Sequence, residues 1–214
     1  MTQKATAKAL IDHHGTLYSE EIDANISRDT PQELFDWLIC ALMLSARISA
    51  ANAAEGARAL REAGLHKIDA IREADRRELV RVLNENGYAR YDESTADYLR
   101  AAADLVDEKY AGDLRALRDA GGDREAILDL LQEMKGIGKV GAEIFAREAQ
   151  LVWHALHPQV GGPAERAARD LGLPDDARGL AELVGSRERF VRLVAALTRA
   201  ALDGPATEVR EAAA

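Results

Sequence analysis

Two glycines, Gly136 and Gly138, stand one residue apart between two amphipathic segments and could bind an anion. Apolar residues recur at helical spacing over residues 124–133 and again after the glycines. This pattern predicts a helix, a glycine turn and a second helix. Glycine lets the backbone approach a ligand, and the start of a helix adds unpaired N–H groups and the positive end of the helix dipole. The chemistry predicted for this turn is the binding of a phosphate or another oxyanion.

The turn resembles the helix-hairpin-helix motif of the DNA glycosylase superfamily that includes endonuclease III. In that family a hydrophobic-x-Gly-x-Gly hairpin holds a DNA phosphate, and the matching residues here begin at Met134. The resemblance implies that one continuous segment contacts the DNA phosphate. Its predicted phosphate-binding residues are Lys135, Gly136, Gly138, Lys139, Val140 and Gly141.

Three further segments resemble the same family in the same order along the chain. Residues 34–47 look like the family's buried helix that ends in Leu-Ser-Ala-Gln, with Arg47 in the place of the glutamine. Residues 86–96 are similar to its Gly-x-x-x-x-Lys-Ala segment, and residues 160–174 to the helix that opens with Val-Asp-Thr-His. The resemblance covers residues 30–202 and implies an endonuclease III-like fold of two helical lobes.

The residues at the family's catalytic positions lack its catalytic groups. Val140 stands where bifunctional members have the lysine that forms a Schiff base, and Gly161 stands where nearly all members have an aspartate. Lys139, His154 and His157 are candidate substitutes, because an amine or a neutral imidazole can act as a nucleophile or base. Lys139 precedes Val140 by one residue, which turns its side chain about 100° around the helix. A phosphate or solvent contact is therefore favoured for Lys139, and a surface or packing role for the histidines.

Arg47 has two interpretations of equal weight. In the resembled fold its position faces the DNA stack, where a planar guanidinium could fill the gap left by a flipped base. It could equally be an arginine at a helix end that pairs with a carboxylate. Tyr88, Tyr91 and Asp92 raise a similar choice, since tyrosines near a helix start could line a cleft and stack on a base, or pack between helices.

The charge balance argues against a strong DNA binder. The 214 residues include 28 basic and 37 acidic side chains, for a formal net charge of −9, whereas affinity for a duplex depends on the neutralisation of phosphates. Residues 131–203, which hold the glycine turn, have as many basic as acidic side chains. We therefore expect weak, salt-sensitive binding to double-stranded DNA. Arginines that could form a local basic face, unless they pair with neighbouring acids, are Arg166, Arg169, Arg178, Arg187, Arg189, Arg192 and Arg199.

The sequence predicts no metal, cofactor or membrane segment. Cys40 is the only cysteine, so neither an intrachain disulfide nor the family's four-cysteine iron–sulfur loop can form, and a small apolar role is favoured. His13 and His14 are adjacent, do not share a helix face and have no cluster of further ligands. The longest apolar run, residues 37–44, is too short to span a bilayer, and no basic start followed by an apolar run is present. We expect a cytoplasmic protein.

Composition and periodicity favour an all-α fold. Alanine, leucine and charged residues dominate, and alternating β-branched runs are missing. The resemblance places a six-helix lobe over residues 31–141, which ends in the helix-hairpin-helix. A second helical lobe is expected from residues 1–30 together with 142–203, and residues 204–214 are predicted to be a flexible tail.

Three functions are compatible with these patterns. The first is a DNA-recognition protein of the glycosylase superfamily in base-excision repair that binds damaged or distorted duplex DNA but has lost the catalytic residues. The second is an active glycosylase that excises a labile damaged base through a non-standard site. The third is an interaction module that keeps the fold and binds a protein or a small molecule. An aspartate in place of Gly138 should abolish binding in the first two cases and spare the third.

Overall fold

The computed structural model describes residues 2–213, and every regular secondary-structure element in them is helical. The all-α prediction is confirmed. Good helix formers fill the chain, and short polar or glycine-containing segments separate the helices. No helix among the described residues is long and apolar enough to cross a membrane.

The chain divides into two compact units. The larger unit runs from residue 18 to residue 146, and the smaller unit contains the residues before and after that segment. These boundaries differ from the predicted ones at residues 31 and 141. The helices that begin in the larger unit are α2 (Tyr18–Glu21), α3 (Pro31–Leu44), α4 (Ala50–Glu62), α5 (Ile68–Glu73), α6 (Arg76–Leu83), α7 (Asp92–Tyr110), α8 (Leu114–Gly121), α9 (Arg124–Gln132) and α10 (Lys139–Ala149).

Helix α3 lies in the interior of the larger unit. Thr30 caps its start by accepting a hydrogen bond from the amide of Glu33, and Pro31 occupies its first turn. The helix packs against α4 and α8, while α7 packs against α5, α6 and α8. The indole Nε1 of Trp37 donates to the carbonyl oxygen of Phe145 at 2.9 Å. This bond fixes α10 to α3 and thereby holds the second helix of the predicted hairpin in place.

Asp36 is a buried carboxylate in α3, with an exposed fraction of 2 %. It accepts a hydrogen bond from Gln32 Nε2 at 2.8 Å and forms an ion pair with Arg61 of α4. Burial raises the pKa of Asp36 to about 6, although the hydrogen bond from Gln32 and the charge of Arg61 both act to lower it. The carboxylate is therefore ionised at neutral pH, and Arg61 supplies its compensating charge.

Replacing Arg61 by methionine is expected to lower the free energy of unfolding by about 3 kcal/mol at pH 7.5, because Asp36 would stay buried without an opposite charge. The pKa of Asp36 would move further above the 3.8 of a free carboxyl group. The folded state would then bind a proton that the unfolded chain releases, so the stability of the variant falls as the pH rises towards that pKa. Urea unfolding should accordingly show a smaller deficit at pH 5.5 than at pH 7.5.

The second variant Arg61→Met/Asp36→Asn serves as the control for this prediction. It removes the buried charge together with its partner, so it should recover part of the lost stability at pH 7.5 and show little change in its deficit with pH. A deficit of Arg61→Met that is the same at both pH values would contradict the role given to Asp36.

The smaller unit is built around a long helix, α13, that packs against α1, α11 and α12, while α1 also packs against α14. Its core is formed by alanine, leucine and valine side chains of these helices together with Phe190. The helices of the smaller unit are α1 (Gln3–His14), α11 (Gly162–Asp170), α12 (Ala177–Val184), α13 (Arg187–Asp203) and α14 (Thr207–Ala213).

Helix α14 lies in the segment for which the sequence predicts a flexible tail. Val209 is fully buried, Thr6 Oγ1 donates to the carbonyl of Ala212 at 2.7 Å, and the amide of Ala206 donates to His14 Nε2 at 3.0 Å. These contacts hold α14 against α1, although the segment itself has few apolar residues. His14 thus accepts a hydrogen bond at the start of the terminal helix.

Candidate functional site

The predicted glycine turn is present and joins α9 to α10. We call residues 133–138 the hairpin. Met134 and Ile137 are buried, and the amide of Ile137 donates to the carbonyl of Met134 at 2.9 Å, which closes the turn. The sequence prediction of a helix, a turn and a second helix is confirmed. Helix α10 begins at Lys139 and ends at Ala149.

The start of α10 carries backbone donors that no side chain caps. Within residues 2–213, the amides of Gly138, Lys139 and Val140 donate to no acceptor. Gly138 precedes the helix and has no side chain that could accept from them. A serine, threonine or aspartate side chain accepts an amide hydrogen bond at the start of α1, α3, α4, α6, α8, α9, α12 and α13. Helix α10 therefore offers its N–H groups and its positive dipole end to an anion.

One of the predicted glycines, Gly136, has a steric reason for its identity. Gly136 has a φ of +91°, and a Cβ there would lie 2.5 Å from Cδ2 of Tyr98. Gly141 is buried, and a Cβ there would lie 3.4 Å from Cβ of Ser45, at the end of α3. Gly136 thus shapes the turn, whereas a Cβ at Gly141 would need its neighbours to shift by only a few tenths of an ångström. A Cβ at Gly138, in contrast, would meet nothing within 4 Å.

Three exposed cations belong to this region: Lys135, Lys139 and Arg47. Arg47 follows the end of α3, two residues after the Ser45 that lies against Gly141. None of the three forms an ion pair with a carboxylate in the described residues, so the carboxylate pair considered for Arg47 does not exist. Cations of the larger unit that do form ion pairs are Arg28, Arg58, Arg61, Arg72, Arg76, Arg81, Lys109, Arg115 and Arg118.

Val140 has the most exposed large apolar side chain of the described residues, with an exposed fraction of 61 %. It occupies the second position of α10, the position at which the sequence resemblance would place a lysine nucleophile. Lys139, one residue earlier, is exposed at the first position. An aliphatic side chain on the surface of α10 can neither donate a proton nor form a covalent bond with a substrate.

The tyrosines and the aspartate near the start of α7 have structural contacts. Tyr88 is fully buried and its hydroxyl donates to the carbonyl of Met43 at 3.1 Å. Asp92 accepts a hydrogen bond from Asn84 Nδ2 at 2.8 Å. Tyr91 is half-buried, and Cζ of Arg90 lies 5.4 Å from the centre of its ring. Packing between helices therefore explains Tyr88 and Asp92, and only Tyr91 presents part of its ring to solvent.

The smaller unit holds the two candidate histidines. Nη2 of Arg187 donates to Nδ1 of His154 at 2.7 Å, so the lone pair of this nitrogen is occupied and the ring is held in the tautomer that carries its proton on Nε2. The ring of His157 meets Phe190 edge-on at 5.0 Å. Burial lowers the pKa of His157, and the charges of Arg187 and His154 lower it further. His154 in this arrangement has no free lone pair with which to act as a general base.

Gly161 precedes α11 and provides no acid. Its φ is −110°, in the extended region, and a Cβ there would meet nothing within 4 Å.

The predicted basic face of the smaller unit is reduced by pairing, because Arg169, Arg178 and Arg192 form ion pairs with acidic side chains. The start of α11 likewise has no side-chain cap, and Arg166 next to it forms no ion pair with a carboxylate in the described residues.

Sequence reasoning missed Tyr98, whose ring lies against Gly136 and Lys135. No spacing rule connects a residue in the middle of α7 with a turn further along the chain, so the sequence alone contains no signal for this contact.

Comparison of the chain with models of known protein families, with curated proteins and with solved structures gives no match. The functional argument therefore depends on the geometry of the hairpin.

Proposed function

We propose that this protein binds double-stranded DNA through the hairpin and the start of α10. The amides of Gly138, Lys139 and Val140 would hold one phosphate, and Lys135, Lys139 and Arg47 would neutralise the phosphates around it. The observation that carries the proposal is the uncapped start of α10, whose free donors are flanked along the chain by Lys135 and Lys139, which form no ion pair with a carboxylate in the described residues. The proposal includes the endonuclease III-like fold that the sequence resembles.

The proposed role is recognition of damaged or distorted duplex DNA in base-excision repair, without cleavage. Binding without cleavage is supported by the side chains at the positions where catalytic groups are expected. Val140 has no amine, Gly161 has no carboxylate, and Nδ1 of His154 is occupied by Arg187. A Schiff base at position 140 or a carboxylate-assisted step at position 161 would require groups that Val140 and Gly161 do not provide.

The acidic composition limits the strength of this binding. Three cations around one phosphate site neutralise few phosphates, and the remaining surface of a chain with a net charge of −9 repels the duplex. Lysine and arginine contacts each contribute about 0.9 to the slope of log K against log salt. Three contacts therefore predict a slope of about −2.7, and an affinity loss of roughly 40-fold between 50 and 200 mM salt.

Fluorescence anisotropy with labelled duplexes tests the proposal. The duplexes would be intact or would carry an abasic site, an oxidised pyrimidine, an alkylated purine or uracil. We expect binding that weakens with salt as above. Denaturing gels of the same samples, run with and without alkali treatment that cleaves the strand wherever a base has been lost, should show no cleavage beyond that of the duplex without protein. The absence of binding at 50 mM salt would refute the DNA function. Base release or strand cleavage by an activity that copurifies with the protein would favour the active glycosylase.

A further inference from the structure

Tyr98 of α7 packs directly under the hairpin. A Cβ on Gly136 would lie 2.5 Å from Cδ2, 2.7 Å from Cγ and 3.0 Å from Cβ of Tyr98. The φ of +91° at Gly136 also disfavours any residue with a side chain. Both the conformation of the backbone and the space beside it therefore require glycine at this position, and the tyrosine ring is what fills that space.

The same ring also contacts Lys135. The ammonium Nζ of Lys135 lies 5.8 Å from the centre of the Tyr98 ring, within the range of a cation–π interaction. Asp97, the neighbour of Tyr98 in α7, pairs with Arg76, whose Nε lies 2.6 Å from its Oδ1. Lys135 itself forms no ion pair with a carboxylate in the described residues, and its ammonium group lies over the ring.

We propose that Tyr98 is a positioning residue of the phosphate site. Its ring supports the peptide at Gly136, which fixes the direction of the backbone as it enters α10, and it holds the ammonium group of Lys135 beside the hairpin. This inference rests on the proposed DNA binding and deepens it, since it names the side chain in α7 that organises the backbone donors and one cation for the same phosphate.

Tyr98→Phe and Tyr98→Leu separate the ring from the hydroxyl. The phenyl ring keeps both contacts, so Tyr98→Phe should bind an intact duplex within about twofold of the wild type. Tyr98→Leu loses the ring over which Lys135 lies and the support under Gly136. We expect it to weaken binding about tenfold at 50 mM salt and to reduce the salt slope by about 0.9, the share of one lysine contact.

A double-mutant cycle with Lys135→Met provides a measure of positioning that a general loss of stability would not imitate. Lys135→Met alone should also reduce the salt slope by about 0.9. In the Tyr98→Leu background, Lys135→Met should cause no further change in the salt slope, because Lys135 no longer contributes a phosphate contact there. Lys67→Met, which removes an exposed lysine outside the hairpin, is the matched control and should leave the slope unchanged.

The results that overturn this inference differ from those that overturn the proposed function. If the wild type binds DNA and Tyr98→Leu retains its affinity and slope, or if Lys135→Met weakens both backgrounds equally, Tyr98 does not position the site. If the wild type itself shows no salt-sensitive binding, the proposed function fails first. Thermal unfolding of each variant, followed by circular dichroism, identifies any affinity loss that comes from unfolding.

Discussion

Replacement of Gly138 by aspartate is expected to abolish duplex binding while making the protein more stable. An aspartate at this position would cap α10, since its carboxylate can accept from the free amides that follow it. It would then compete with the phosphate for the same donors and repel it by charge. A Cβ at Gly138 meets nothing within 4 Å, so the fold accommodates the change.

The two effects have opposite signs, which separates function from folding. We expect affinity for an intact duplex to fall by more than about tenfold at 50 mM salt, equivalent to about 1.4 kcal/mol. The free energy of unfolding should rise by a few tenths of a kcal/mol, roughly the difference between aspartate and glycine at the start of a helix. Anisotropy measures the first and urea unfolding the second.

Gly138→Ser is the matched control, because serine caps a helix without adding charge. It should raise stability similarly and weaken binding less than aspartate does, and the difference between the two variants measures the electrostatic part of phosphate binding. Unchanged affinity in Gly138→Asp would remove the hairpin from the DNA-binding surface and would favour the alternative of a protein or small-molecule partner.

Val140→Lys is expected to produce a covalent adduct with abasic-site DNA that the wild type does not form. In the proposed endonuclease III-like fold the new amine would stand at the position of the Schiff-base lysine, and the exposed fraction of 61 % at Val140 leaves room for it. The amine would add to the aldehyde of the abasic sugar and release water, giving an imine. Sodium borohydride would reduce this imine to a stable amine, visible as a slower band in a denaturing gel.

The wild type contains its own control for this experiment. Lys139 already presents an amine one residue before Val140, and its side chain points about 100° away around the helix. An adduct specific to Val140→Lys therefore reports the direction of the side chain and not merely its proximity. Equal trapping in the wild type, or no trapping by a variant that still binds abasic DNA, would contradict the endonuclease III-like placement of α10.

The local elements of the site could be predicted from the sequence because their causes are local. The spacing of Gly136 and Gly138 between two periodic apolar segments determines the turn, and the Thr30-Pro31 pair marks the start of α3. Both features involve residues that are close along the chain, so a reader of the sequence can find them.

Contacts between distant segments could not be predicted in this way. The support of Gly136 by Tyr98 depends on the path of α7, and the freedom of Arg47 from carboxylates depends on which acids the fold brings near it. Helix α14 was missed for the same reason, because Val209 is buried only when α1 lies beside it. In each case the decisive partner lies in another helix, and no periodicity in either segment identifies it.

The most direct test of the central claim is a titration of the ¹⁵N-labelled protein with a short intact duplex, followed through its backbone amide resonances. If the start of α10 binds a phosphate, the amides of Gly138, Lys139 and Val140 should show the largest shifts, and raising the salt concentration should reverse them. Shifts confined to other parts of the chain, or no shifts at low salt, would contradict the account.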